Sequence, residues 1–270
     1  MSRFRENNII SRLKWIFYIY RFNYKLRKKA KSKNKDWIFG RVACMGQDVL
    51  KLTGSQTPLY NIQKGRVDYL YNLHHNTKLH TKTSKVVEFM SRKDIIPLIA
   101  QQEIFEWKSI GLPKLIFMDS YSELTDQLFV NREKHWCFCS NYSDLLHTPE
   151  FTNNFEVKGL IAIEDIENQY RDYFELLRER FPDTPIIFMH FPVKLDNREK
   201  FKIRYRSIQD AIERISKEFP HFYSISVDEK IIDWPEEKLP GIENFPYHFN
   251  NRTYQDFAEQ IQSIDIFNEY

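Results

Sequence analysis

Two distant positions in the chain carry residue types that together perform acyl chemistry. Asp119 and Ser120 end the apolar run Leu115-Ile-Phe-Met118, and His248 lies in Tyr247-His-Phe-Asn250, ahead of a helix-like C-terminal stretch. A hydroxyl or thiol attacks a carbonyl carbon when a neighbouring base removes its proton, and imidazole is matched to that task near neutral pH. Cys44, in Ala43-Cys-Met-Gly-Gln-Asp48, is a second nucleophile candidate. At a helix N-terminus its thiol pKa is expected to fall, which raises the thiolate fraction.

Each residue also has a structural use. Ser120 could cap the following helix, with Glu123 closing a capping box. Asp119 could form an ion pair or cap, since a buried, unpaired carboxylate is costly. Cys44 could be a small buried hydrophobe, and Asn250, Asn251 and Thr253 are cap candidates for the helix after His248. Three further residues are expected to line a substrate site: Gly46 in the Cys44 turn, Asn141 in Ser140-Asn-Tyr142, and His190, which follows a strand-like run in Met189-His-Phe-Pro192.

The elements that must position these residues are read from periodicity. Trp37–Cys44 reads as a strand that passes into a turn and helix start over Met45–Leu52, and Val67–Leu73 has a helical pattern. Residues 55–83 are otherwise polar and give no clear element. Ser84–Met90 and Ile95–Phe105 have helical spacing, with Ser91 and Asp94 as caps for the second. Leu115–Met118 reads as a strand, Ser122–Phe129 as helix or extended turn, and Trp136–Cys139 and Leu160–Ile163 as short strands. Ile166–Phe181, Phe201–Phe219 and Asn251–Ser263 read as helices, with strands at Pro185–Met189 and Phe222–Val227. Strands alternating with helices predict an α/β fold, a three-layer α/β/α sandwich on a mostly parallel sheet, whose strand carboxyl ends form the ligand rim. The domain is drawn over 37–270, behind a leader helix at 1–36.

Composition narrows the chemistry. Only 7 Gly, and no glycine-rich phosphate loop, argue against a nucleotide enzyme. Three cysteines are too few for a disulfide framework and fit a reducing compartment. Cys137-x-Cys139 lacks a second pair, and His74, His75 and His80 lack metal-ligand spacing, so no metal is expected. The net charge of +3 hides an asymmetry: residues 1–36 hold 12 Lys/Arg against 2 acids. There, Trp15, Ile16, Ile19, Phe22 and Leu26 fall near one side of a helix ahead of a Lys/Arg cluster. That pattern suits an anionic membrane surface, or a helix packed on the domain with a solvated end. No nucleic-acid-binding module accompanies the leader, so nucleic acid is not an expected partner. No cleavable signal and no apolar run of about 18 residues are present, which predicts a cytoplasmic protein, peripheral to the inner membrane if the leader binds lipid.

With these elements placed, the chain resembles the SGNH (GDSL-like) hydrolase superfamily over roughly residues 37–262, and in particular divergent members among bacterial surface-polysaccharide biosynthesis proteins. The resemblance rests on element order, on Asp119-Ser-Tyr-Ser-Glu123, on Phe181-Pro-Asp-Thr-Pro-Ile-Ile187 and on His248 before the last helix. It implies esterase or acyltransferase chemistry, the hydrolysis or transfer of an O-acyl group, with acetyl as the expected acyl, on a surface polysaccharide or its precursor. No cofactor is required by that chemistry, and acyl-CoA is the expected donor if the reaction is transfer. The stretch Arg66, Lys78, Lys82 and Lys85 would then contact donor phosphates, or form a solvated face.

Two alignments follow from the resemblance. If Leu115–Ser120 is the opening strand, Ser120 is the nucleophile and Asn141 serves the oxyanion, although the short interval to Ile186 leaves little room for intervening strands. If Ile38–Asp48 is the opening strand and turn, Ala43 stands at the serine position, Cys44 is the nucleophile, and Asp119 and Ser120 end the third strand. In both, Phe245 stands where the family places an Asp, leaving Glu243 or Asp233 to orient His248. A catalytically degenerate scaffold or binding protein of glycan biosynthesis is the alternative implied by Ala43 and Phe245.

Overall fold

A computed structural model describes residues 37–237 and 246–265, together with Phe17 and Arg21. The rest of the 1–36 leader, Glu243 and Phe245 lie outside the described residues. In chain order the elements are β1 (Ile38–Arg41), α1 (Cys44–Leu52), β2 (Leu59–Asn61), α2 (Val67–His75), α3 (Ile96–Ile104), β3 (Leu115–Asp119), α4 (Tyr121–Thr125), β4 (Asp126–Asn131) and β5 (Cys137–Asn141). They continue as α5 (Pro149–Asn154), β6 (Phe155–Gly159), α6 (Ile166–Arg180), β7 (Ile186–Met189), α7 (Glu199–Ser216), β8 (Phe222–Ile225) and α8 (Asn251–Gln262). The chain groups into two compact units, one from 64–112 and 125–160, the other from 37–63, 113–124 and the described residues from 161 onward.

The second unit holds a five-stranded parallel sheet in the order β2-β1-β3-β7-β8. Its central strands are apolar up to their carboxyl ends because both faces are covered: every residue of β1, β3 and β7 is buried, including Arg41 and Asp119 at the ends of β1 and β3. The chain leaves β1 toward β2 on one side, while β3, β7 and β8 follow on the other. Right-handed crossovers therefore place α1 on one face and α6 and α7 on the other, the α/β/α layering read from the sequence. α8 packs with α1, and α6 with α7. The carboxyl ends of β1 and β3 flank the point where strand order reverses, the position at which such sheets bind ligands.

The first unit is an antiparallel sheet, β5-β4-β6, over an aromatic-rich core that includes Phe129, Trp136, Phe138, Phe151 and Phe155. Gln102 of α3 clamps the Cys139 backbone, its Oε1 accepting the N–H at 2.8 Å and its amide donating to the carbonyl at 2.7 Å. Four readings change here. Ser84–Met90 forms two short 3-10 turns, Thr83–Lys85 and Val87–Phe89. Helix α4 stops at Thr125 and the chain enters β4, and the strand expected at Leu160–Ile163 lies instead at β6, ended by Gly159 with φ of 78°. Neither Ser91 nor Asp94 caps α3: the Ser91 hydroxyl donates to the Ser143 carbonyl.

Candidate active site

The turn after β1 is fixed from both neighbouring strands. From β2, the Asn61 side chain accepts the Val42 N–H at 2.9 Å and donates to the Val42 carbonyl at 2.7 Å. From β3, Asp119 Oδ2 accepts the Ala43 N–H at 2.6 Å. Cys44 then opens α1 as an exposed residue at the rim. Gly46 allows the helix to start this close to the strand, since a Cβ there would lie 2.6 Å from Val42 Cβ.

The thiol's electrostatics differ from the sequence expectation. The N–H groups of Met45 and Cys44 lower its pKa, as a helix start should, but loss of surrounding water raises it more, and Asp48 and Asp119 add to the rise. The balance leaves the Cys44 thiol above its ordinary pKa. Asp48 lies one turn along α1, on the same face, and acts on His248 as well: burial lowers the imidazole pKa and the Asp48 charge raises it. Tyr254 of α8 is pushed up to about 12 by burial, with Cys44 and Asp48 contributing. Cys44, Asp48, His248 and Tyr254 thus share one electrostatic neighbourhood, built from the start of α1 and the segment entering α8. Asn250 caps α8, its Oδ1 accepting the Thr253 N–H at 3.2 Å.

Asp119 is 2% exposed, and burial pushes its pKa up to about 7 despite the Ala43 and Tyr121 N–H bonds and the Arg41 charge. Its Oδ1 accepts the Tyr121 N–H at 3.0 Å, so Asp119 supplies the cap considered for Ser120. Ser120 is fully buried, and its Oγ accepts the Phe191 N–H at 2.9 Å. Glu123 closes no capping box. It accepts two bonds from Arg41 Nη1, at 2.8 and 2.9 Å, and one from the Tyr170 hydroxyl at 2.9 Å.

The other candidates disperse. His190 is buried, with Nε2 2.9 Å from Ser224 Oγ, and desolvation holds its pKa down to about 4. Asn141 belongs to the first unit, where its Oδ1 accepts from the Ser143 N–H and hydroxyl at 3.1 and 3.0 Å. Arg66 is buried and bonded to Asp68 and to the Asp126 and Gly159 carbonyls, which removes it from the basic stretch. The Asp48 charge acts on His248, and the Asp233 carboxylate accepts the Trp234 N–H. No group of three His, Cys, Asp or Glu among the described residues is placed to hold a metal.

Arg41, Asp48 and Glu123 were missed as partners in the sequence. Arg41 had a signal: a charge at the end of a strand buried on both faces requires a paired partner. Asp48 had one too, in its four-residue spacing from Cys44.

No protein-family model matches the chain, and no curated protein sequence does. Solved structures similar to it include a protein described as a platelet activating factor from Streptococcus pneumonia, 11% identical over 96% of both chains with a TM-score of 0.47. The acetyl xylan esterase Est2A from the rumen bacterium Butyrivibrio proteoclasticus is 12% identical over 89% of this chain, with a TM-score of 0.39. A salicylyl-acyltransferase from a tetracycline biosynthetic pathway is 11% identical over 88%, with a TM-score of 0.37. The chain spans 61% and 56% of the lengths of these last two. Among the described residues, no helix is long and apolar enough to cross a membrane.

Proposed function

We propose that this protein handles O-acyl groups, as an esterase or acyltransferase, through a covalent intermediate on Cys44. The observation that carries the reading is the placement of an exposed thiol at the strand-order reversal, with Asp48 acting on both that thiol and His248. Cys44 Sγ attacks the acyl carbonyl carbon while His248 accepts the thiol proton. Collapse of the adduct breaks the bond to the leaving group, carbon–oxygen in an ester or carbon–sulfur in acyl-CoA, and the proton passes from His248 to the departing alcohol or thiol. Water or an acceptor hydroxyl then cleaves the thioester. N–H groups at the start of α1 stabilise the developing oxyanion; the Ala43 N–H is already engaged by Asp119.

The acyl group in this reading is acetyl, and the substrate is a bacterial surface polysaccharide or its precursor, with acyl-CoA as donor if the reaction is transfer. The basic leader, with 12 Lys/Arg in residues 1–36, would hold the enzyme at an anionic membrane surface. The test is hydrolysis of p-nitrophenyl acetate by wild type, Cys44→Ala, His248→Ala and Ser120→Ala. Loss in the first two variants, with Ser120→Ala retaining activity per folded molecule, supports the reading; four proteins that all match buffer would refute it.

A second reading, a non-catalytic binding protein, draws on one observation. Thiol and imidazole are both shifted toward their neutral forms, so no preformed ion pair marks an activated cysteine. Saccharide binding by wild type and Cys44→Ala alike, without turnover, would favour it.

A further inference from the structure

Beneath the rim lies a fully buried charge network that the proposed chemistry does not use. Arg41, the last residue of β1, is 1% exposed and Glu123 0%. One guanidinium nitrogen is taken by the Glu123 carboxylate, which the Tyr170 hydroxyl of α6 also binds. The other, Nη2, donates to the backbone carbonyl of Asp119 at 2.8 Å. A buried pair of this kind gains little stability over well-packed apolar side chains, because desolvation offsets the attraction. Its geometry, by contrast, has a local consequence: three elements meet on one guanidinium, directly under the residue that fixes the Cys44 turn.

We propose that Arg41 is a positioning residue, whose grip on the Asp119 carbonyl, braced by Glu123 and Tyr170, holds the ends of β1 and β3 so that the Asp119 carboxylate meets the Ala43 N–H beside Cys44. This rests on the reading of Cys44 as the reacting group. Asp119 is faced by Arg41 from β1, Cys44 from α1 and Glu123 from α4, and Tyr170 and Tyr173 of α6 face Arg41. Arg41 favours the charged form of Asp119 more strongly than Glu123 opposes it. The charge of Asp119 in turn opposes ionisation of the Cys44 thiol. Arg41 therefore acts on the thiol through Asp119.

The experiment follows the rate of Cys44 alkylation by iodoacetamide in the full chain, from about pH 5 to about pH 10, with the labelled peptide identified by mass. Removing one member of the pair strands a buried charge and can unfold the protein, so the main variant is the double change Arg41→Met/Glu123→Leu, which removes both charges at similar volume. Wild type is expected to show an inflection near 7, where Asp119 titrates, and Asp119→Asn to abolish it. In the folded double variant the inflection should rise by about one unit, about a tenfold change in proton affinity. Arg41→Lys, which keeps the charge, should bring it back toward the wild-type position. A folded double variant that keeps the wild-type inflection, or a wild type that shows none, overturns the proposal. Labelling needs no turnover, so absence of esterase activity would refute the catalytic reading and leave this readout intact.

Discussion

The Asp119 carboxylate accepts the Ala43 N–H at 2.6 Å, joining the end of β3 to the turn that presents Cys44. One oxygen thereby settles the direction of α1, and the other caps α4 through Tyr121. The carboxylate is buried to do this, and its pKa rises to about 7.

That rise carries a sign for stability. A carboxylate that binds its proton more tightly when folded contributes stability at low pH and loses it as pH rises through the folded pKa. Asp119→Asn, which keeps one acceptor and no charge, should therefore lose less stability relative to wild type at pH 8 than at pH 5. Thermal melts at the two pH values check this. A melting difference independent of pH would show that Asp119 does not titrate in this range.

Cys44 is exposed, whereas Cys137 and Cys139 are buried in β5 with their thiol pKa values raised by desolvation. Brief alkylation of the native protein should label Cys44 alone, with a midpoint above that of free cysteine. Fast labelling at mildly acidic pH would instead reveal a thiolate–imidazolium pair.

Gly46→Ala should destabilise the fold by about 1–3 kcal/mol, an overpacking cost, because its methyl would sit 2.6 Å from Val42 Cβ. The shift also moves Cys44, so activity per folded molecule should fall. Urea unfolding with parallel kinetics tests both, and an unchanged midpoint would mean that the turn relaxes freely.

Ser120→Ala leaves the Phe191 N–H without its acceptor. The expected effect is a loss of about 1–3 kcal/mol in stability, the cost of a buried unpaired donor, with turnover retained in the folded fraction. Abolished turnover at unchanged stability would make Ser120 the nucleophile.

The parallel sheet was legible because its central strands are apolar up to their carboxyl ends, as in Pro185–Met189, and its helices have a clear amphipathic period, as in Ile166–Phe181. Strand β4 was not, since Asp126 follows α4 directly with neither Gly nor Pro to mark the change. At the site, the Asp-Ser pair was visible as a strand end, but the side to which each side chain turns is a tertiary property. Ser120 faces the Phe191 backbone and Asp119 the Ala43 turn. The charge at Arg41 signalled a buried pair, yet its partner stands 82 residues away, beyond any local pattern.

The most direct test is rapid-quench peptide mapping of wild-type protein mixed with p-nitrophenyl acetate. The account predicts an acetyl group on the peptide that contains Cys44, which accumulates when a nucleophile-competent chain is quenched early and is absent in Cys44→Ala. An acetyl group on Ser120, or undiminished hydrolysis by Cys44→Ala with no adduct at all, would contradict it.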